Sequence, residues 1–341
     1  MRKAVKFIVA LLVGASLFYF VVKETGVEVI WDGIMLLLSP QGAAVIAVTL
    51  LIVFVGAFRW KEVIASQGEK VPLFPSLRYL VKGFTVDFLT PFSLFGGEMV
   101  RIFLMEKHVG FKRSATATVI DKIMDVSTHF LFLVVGISLF IIYGSGLSGI
   151  FLYYTSAVII ILFLVLFVFY QRALKKKSML KWVVGVLGLS KKYFSDNENG
   201  RAVMEIEGDV MKFFSSRKKD LVRGMSLSLL RHLLFAFRIF LILYFLTGQV
   251  EPGFALVVYG LTILSMLLPI PAALGGLEAI VALGFGALGF GFATGAAYAI
   301  TVRSADLLIC GLGIALFARL SFTSFFGQLS AFRRSFFARE N

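Results

Sequence analysis

Apolar runs long enough to cross a bilayer constrain this chain more than any other feature. Residues 4–22, 126–143, 150–170 and 226–246 each approach or exceed the roughly 20 residues that span about 30 Å of hydrocarbon. Only 16% of the 341 residues are charged, against roughly 25% in an ordinary soluble domain. The chain reads as an all-α polytopic membrane protein. Its formal net charge of +14 lies mainly in loops and tails. There it points to membrane lipids with anionic headgroups as partners, and away from nucleic acid. A lone cysteine, Cys310, excludes an intrachain disulfide.

Loop charges predict six crossings of the cell membrane with both termini cytoplasmic. Arg2, Lys3 and Lys6 hold the N-terminus inside, and its apolar stretch reads as an uncleaved first span. The more acidic stretch with Lys23, Glu24, Glu28 and Asp32 follows outside, and residues 43–58 return to Arg59–Glu62 at the inner face. Residues 171–223 form a basic cytoplasmic segment. Within it Val203, Ile206, Val210, Phe213 and Phe214 share one helical face, predicting a helix along the inner surface. Residues 319–341 repeat the pattern as a basic amphipathic tail.

Two apolar segments, 76–106 and 253–290, fall outside this count, and both are broken. PFSLFGGE (91–98) and PAALGGLE (271–278) place a proline at the same interval before a glutamate, with a glycine pair near the acid. Proline removes a backbone donor and glycine permits sharp turns. An unwound tip is tolerated at membrane depth only when buried in protein or lining a wet cavity. Each break therefore predicts a re-entrant hairpin, with tips at Pro91, Gly96 and Gly97 and at Pro271, Gly275 and Gly276. Each is followed by a span carrying charge about eleven residues in: Asp121, Lys122 and Asp125, then Arg303 and Asp306. Residues 43–143 and 226–318 thus read as two inverted repeats within a single membrane domain, 1–341. The plainer alternative is one kinked span at each break, with glycines serving helix packing.

Eleven residues of helix rise roughly 16 Å, which puts Asp125 and Arg303 near the midplane. Charge there must face the protein interior. One reading is structural pairing of Arg303 with Asp125 or Asp306. The other is a polar cavity for a charged headgroup, in which Arg101, Lys122 and Arg303 meet a phosphate and Glu98, Glu278, Asp125 and Asp306 orient them. Asp121 shares the Lys122 helix, and Asp87 caps or lines the first hairpin. His108, His129 and His232 show no metal-ligand spacing, so no metal site is expected. No nucleotide-binding motif or nucleophile elbow is present, so no cofactor is expected.

GGEMVRIFLMEKHVGFKRSATATVIDKIMD (96–125) and PAALGGLEAIV (271–281) resemble the two signatures of the lysylphosphatidylglycerol synthase membrane-region family, flippase-like integral membrane proteins. Pro91, Gly97, Glu98, Arg101, Asp125, Glu278 and Arg303 fit that pattern, while Asp121 and Lys122 stand where the family has Glu-Arg. The resemblance implies a stand-alone member without the aminoacyl-transferase domain, and hence lipid translocation rather than lipid synthesis. An ion- or proton-coupled small-solute transporter, a lipid headgroup transferase with Glu98 or Asp125 as base, and a scaffold are the alternatives. A transporter is favoured over an enzyme, because no donor site accompanies the acids. A homo-oligomer is left open.

Overall fold

The computed structural model describes residues 16, 19–20, 22–23, 27–89, 96–143, 149–175, 177–180, 182, 198–267 and 274–318, and it is helical throughout, without a strand among them. Its helices are α1 (Val27–Leu38), α2 (Pro40–Ser66), α3 (Leu73–Leu89), α4 (Gly96–Val109), α5 (Phe111–Tyr143), α6 (Gly149–Leu174), α7 (Glu198–Ser216), α8 (Lys218–Thr247), α9 (Pro252–Met266), α10 (Gly276–Ala287) and α11 (Phe292–Ala318). Four are long and apolar enough to cross a membrane: α2, α5, α8 and, over Phe292–Phe317, α11. Pro91, Pro271 and the 319–341 tail lie outside the described residues, as does most of the expected first span.

The surface is apolar where lipid would lie. Leu50, Phe54, Leu131, Leu233, Phe237, Leu308 and Leu312 are exposed, while Arg59, Lys82, Arg101, Asp121, Arg238 and Glu278 are buried. A soluble protein distributes these types the other way. With hydrocarbon outside, the charged groups gain only by turning inward and pairing.

Packing follows a paired plan. α3 packs on α4 and α4 on α5; α9 packs on α10 and α10 on α11. Across the molecule α2 packs on α8, α5 on α9 and α11 on α3. The α5–α9 crossing brings backbones together at Gly136 and Gly260: a Cβ on Gly260 would lie 2.9 Å from the Gly136 Cα. Only glycine at both positions permits so close an approach.

Two features depart from the sequence reading. The expected outer loop around Glu28 and Asp32 is helical, as α1, and packs on α2 and α11. The amphipathic α7 is present, but its apolar face is covered by protein. Val210, Phe213 and Phe214 are buried, with Phe169 and Tyr170 of α6 edge-on to Phe214. Contacts to α5, α6 and α8 bury that face in place of lipid.

Candidate functional site

Charge enters the interior from helices that would otherwise be plain membrane spans. Arg59 of α2, 2% exposed, donates from Nε to Asp121 Oδ1 (2.7 Å) and from Nη1 to Asp125 Oδ1 (2.8 Å). The same Nη1 reaches Ser228 Oγ at 2.9 Å. Arg101 of α4 donates to the other Asp121 oxygen at 2.7 Å and lies 4.3 Å over the Trp60 ring. Arg231 of α8 donates to Asp125 Oδ1 at 2.6 Å. Each buried aspartate therefore receives two guanidinium groups, which offsets the cost of holding it away from water. Lys122, one residue from Asp121 and so turned to another side of α5, meets Glu98 Oε1 at 2.7 Å.

The second set of helices repeats the layout. Lys122 and Arg303 each stand three residues before an aspartate, Asp125 and Asp306. Each pairs with its hairpin glutamate: Arg303 Nε and Nη2 lie 2.5 and 3.1 Å from the two oxygens of Glu278, which is fully buried. Each aspartate also pairs with an arginine of the preceding long helix, Asp125 with Arg59 at a sequence separation of 66 and Asp306 with Arg238 at 68. The Arg238–Asp306 distance is 2.8 Å. Arg303 is thus paired with Glu278 at the start of α10, where the pairing reading of the sequence had Asp125 or Asp306, because the planar fork matches both carboxylate oxygens at once.

Asp87 of α3 accepts from the Gly97 amide at 2.6 Å and caps α4. A Cβ on Gly83 would come within 2.8 Å of the Gly97 carbonyl oxygen, so the glycine tip lets α3 and α4 touch through their backbones. At the second tip Gly275, φ 73°, precedes α10.

Around these pairs lies a cavity of about 140 Å³. Its walls carry Arg59, Arg101, Lys122, Arg231 and Arg238 against Asp87, Glu98, Asp121, Asp125 and Asp306, a formal balance of charge. Arg101, Arg231 and Arg238 each keep a buried Nε without a hydrogen-bond partner, and so does Glu98 Oε2. The cavity touches α2, α3, α4, α5, α8 and α11. Glu278 and Arg303, expected in its wall, lie outside the lining. Val53 and Ile309 also line an apolar groove of about 670 Å³ between α2, α3 and α11.

Sequence spacing gave no hint of a histidine pair, yet the fold makes one. His232 Nδ1 donates to the Ser228 carbonyl at 2.8 Å, leaving Nε2 to face His129 Nδ1 at 2.9 Å. Asp125 Oδ2 lies 3.7 Å from that Nδ1, and the ligand atoms of the three residues fall within 4.8 Å of one another. Two arginines already occupy Asp125 Oδ1, and their charge opposes a divalent cation. The arrangement suits a proton held between two imidazoles.

A profile of the lysylphosphatidylglycerol synthase TM region matches residues 7–313, which contain every residue of this site. The chain belongs to that family. It is also 24% identical over 251 residues to a UPF0104 membrane protein of Methanocaldococcus jannaschii, covering 70% of this chain and 72% of that relative. No solved structure matches. The matched span includes Glu98, Arg101, Asp125, Glu278 and Arg303, all of which are ion-paired. Arg59, read from the sequence as an inner-face charge at the end of a span, is instead buried within α2, and Arg231 and Arg238 escaped the sequence reading. Their signal was present as arginine within or at the end of an apolar run, with Arg231 and Arg238 seven residues apart and so on one helical face.

Proposed function

We propose that this protein moves the headgroup of a phospholipid or lipid-linked molecule across the cell membrane through the charged cavity, as a flippase or scramblase. The observation that carries the reading is the set of unspent arginine donors, Arg101, Arg231 and Arg238 Nε, gathered on one buried cavity. Buried donors of this kind call for an acceptor, and a phosphate supplies several oxygens. At about 140 Å³ the cavity has room for a phosphate-sized group or a few waters, not for acyl chains. The adjoining apolar groove favours an amphiphile over a small hydrophilic solute, since tails can stay in hydrocarbon while the headgroup enters.

The paired packing plan supports two re-entrant hairpins, α3–α4 and α9–α10, in inverted repeats. At 12 residues, α10 is about 18 Å long and too short to cross. Exchange of partners among the matched ion pairs is the motion this layout offers, with both termini in the cytoplasm.

Reconstitution in liposomes carrying a lipid with a fluorescent headgroup tests the reading. Exposure of inner-leaflet label to an impermeant quencher should be faster with wild type than in empty vesicles. Folded Arg238→Gln and Glu98→Gln should both lose the gain. Exposure no faster than in empty vesicles, across several headgroups, would overturn translocation; uptake of a small anion under an imposed pH gradient would replace it.

A further inference from the structure

A second basic cluster sits apart from the charged cavity and, among the described residues, has no acid paired with it. Lys82 of α3 is fully buried, and its Nζ has no hydrogen-bond partner. Its nearest aromatic neighbour is the Phe317 ring, 5.2 Å away. Arg78, one turn earlier, keeps a buried Nε without a partner and rests over the Phe74 ring at 5.5 Å. Lys107, exposed at the end of α4, lies 5.4 Å from the Tyr79 ring. Lys82 is within Coulombic reach of both Arg78 and Lys107. Three cations this close repel, and burying an ammonium beside a ring is costly unless an anion joins it.

The apolar groove runs past Arg78, one turn from Lys82. Phe74, Leu77, Arg78 and Val81 form its α3 wall, opposite Leu50 and Leu312. Its volume of about 670 Å³ is in the ~300–1,000 Å³ range of ligand sites. One helix therefore presents a lipid-facing apolar trough and, on its edge, unneutralised positive charge.

We infer that this groove is a docking site for one anionic phospholipid, its phosphate on Arg78 and Lys82 and an acyl chain along α2, α3 and α11. Charge complementarity chooses the occupant. A zwitterionic lipid brings its own cation to a cluster already repelling itself, and free phosphate leaves the trough uncovered. Farther along α3, Leu80, Phe84 and Asp87 line the charged cavity. Arg78 and Asp87 are about 14 Å apart along the helix, so a lipid docked here stands beside the proposed headgroup path. The inference takes from the proposed function only that its ligand is a lipid; binding here does not require translocation.

The test is native mass spectrometry of the full chain in detergent, titrated with phosphatidylglycerol, phosphatidylcholine or inorganic phosphate, alongside thermal unfolding. Phosphatidylglycerol should bind most tightly and raise the unfolding midpoint, and inorganic phosphate should not compete. Lys82→Met should unfold no earlier than wild type without lipid, because it removes an unpaired buried charge, yet bind phosphatidylglycerol about tenfold or more weakly. Ala47→Trp, which fills the trough and leaves the charges, should also lose binding, and Lys175→Gln in the basic cytoplasmic segment should not. Undiminished phosphatidylglycerol binding in Lys82→Met, equal binding of phosphatidylcholine, or full competition by phosphate would each overturn the site. Binding lost in Lys82→Met with no translocation by wild type would keep the site and remove the proposed function. Translocation with undiminished binding would do the reverse.

Discussion

The α2–α5 and α8–α11 sets use the same residue types at matched places and arrive at different electrostatics. In the first set, Asp121 and Asp125 are held by three arginines in one connected network that borders the cavity. In the second, Arg238 meets Asp306 and Arg303 meets Glu278, and the latter two residues lie outside the cavity lining. An extra acid, Asp121, and an extra arginine on each of α4 and α8 make the difference. Matched frameworks therefore do not imply matched electrostatics: Arg101 of the first set and Arg231 and Arg238 of the second keep unpartnered Nε donors on the cavity, while Arg303 lies against Glu278 outside its lining.

Replacing Arg59 by Met should do most to break this comparison. It leaves two buried aspartates each with one guanidinium, and removing one partner of a buried pair costs about 3–5 kcal/mol. Arg238→Met strands only Asp306, which is 26% exposed, and should cost about 1–3 kcal/mol. Denaturant unfolding in micelles measures both, and equal losses would show that the network is no more coupled than the isolated pair.

Gly136→Leu probes the seam between the sets. Its side chain would meet the Leu256 carbonyl and Gly260, so about 1–3 kcal/mol of overpacking is expected. A smaller loss in micelles would mean that the α5–α9 seam opens easily.

Arg303→Lys beside Lys122→Arg sharpens the contrast. The first gives up a two-point bond to a fully buried carboxylate and should cost about 1 kcal/mol. The second has the cavity to expand into and should be nearly silent in unfolding. Equal costs would remove the distinction between a pair on a fully buried glutamate and one that borders the cavity.

The smallest effect belongs outside the membrane, where Lys112 of α5 meets Glu205 of α7 at 2.9 Å with both side chains exposed. The Lys112 hydrogen bond, then its charge, holds Glu205 below the ordinary carboxylate range. A lowered folded pKa means that any contribution is present at neutral pH and lost as the pH falls through that value. Lys112→Ala should leave the unfolding midpoint at neutral pH unchanged within error.

Much of this was legible in the chain. The two Pro-to-Glu intervals marked the hairpin glutamates, and the charges that follow marked Lys122, Asp125, Arg303 and Asp306 as interior residues. Asp87, read as capping or lining the first hairpin, caps α4 and lines the cavity. Partners were not legible. Arg303 has acids on its own helix and on two others, and choosing among them needs the crossing geometry. Arg231 and Arg238 are diluted by 19 other residues of a run that scores as lipid-facing on average, and the histidine pair joins α5 to α8 over a sequence separation of 103.

By itself the sequence determined the environment. Its apolar runs require a membrane, its broken segments require shelter from lipid, and its midplane charges require the interior, because hydrocarbon solvates neither backbone nor ion. The tertiary structure alone decided which charges neutralise one another and which donors remain to spend. Ion pairing acts over about 3 Å, and only packed helices set distances that fine.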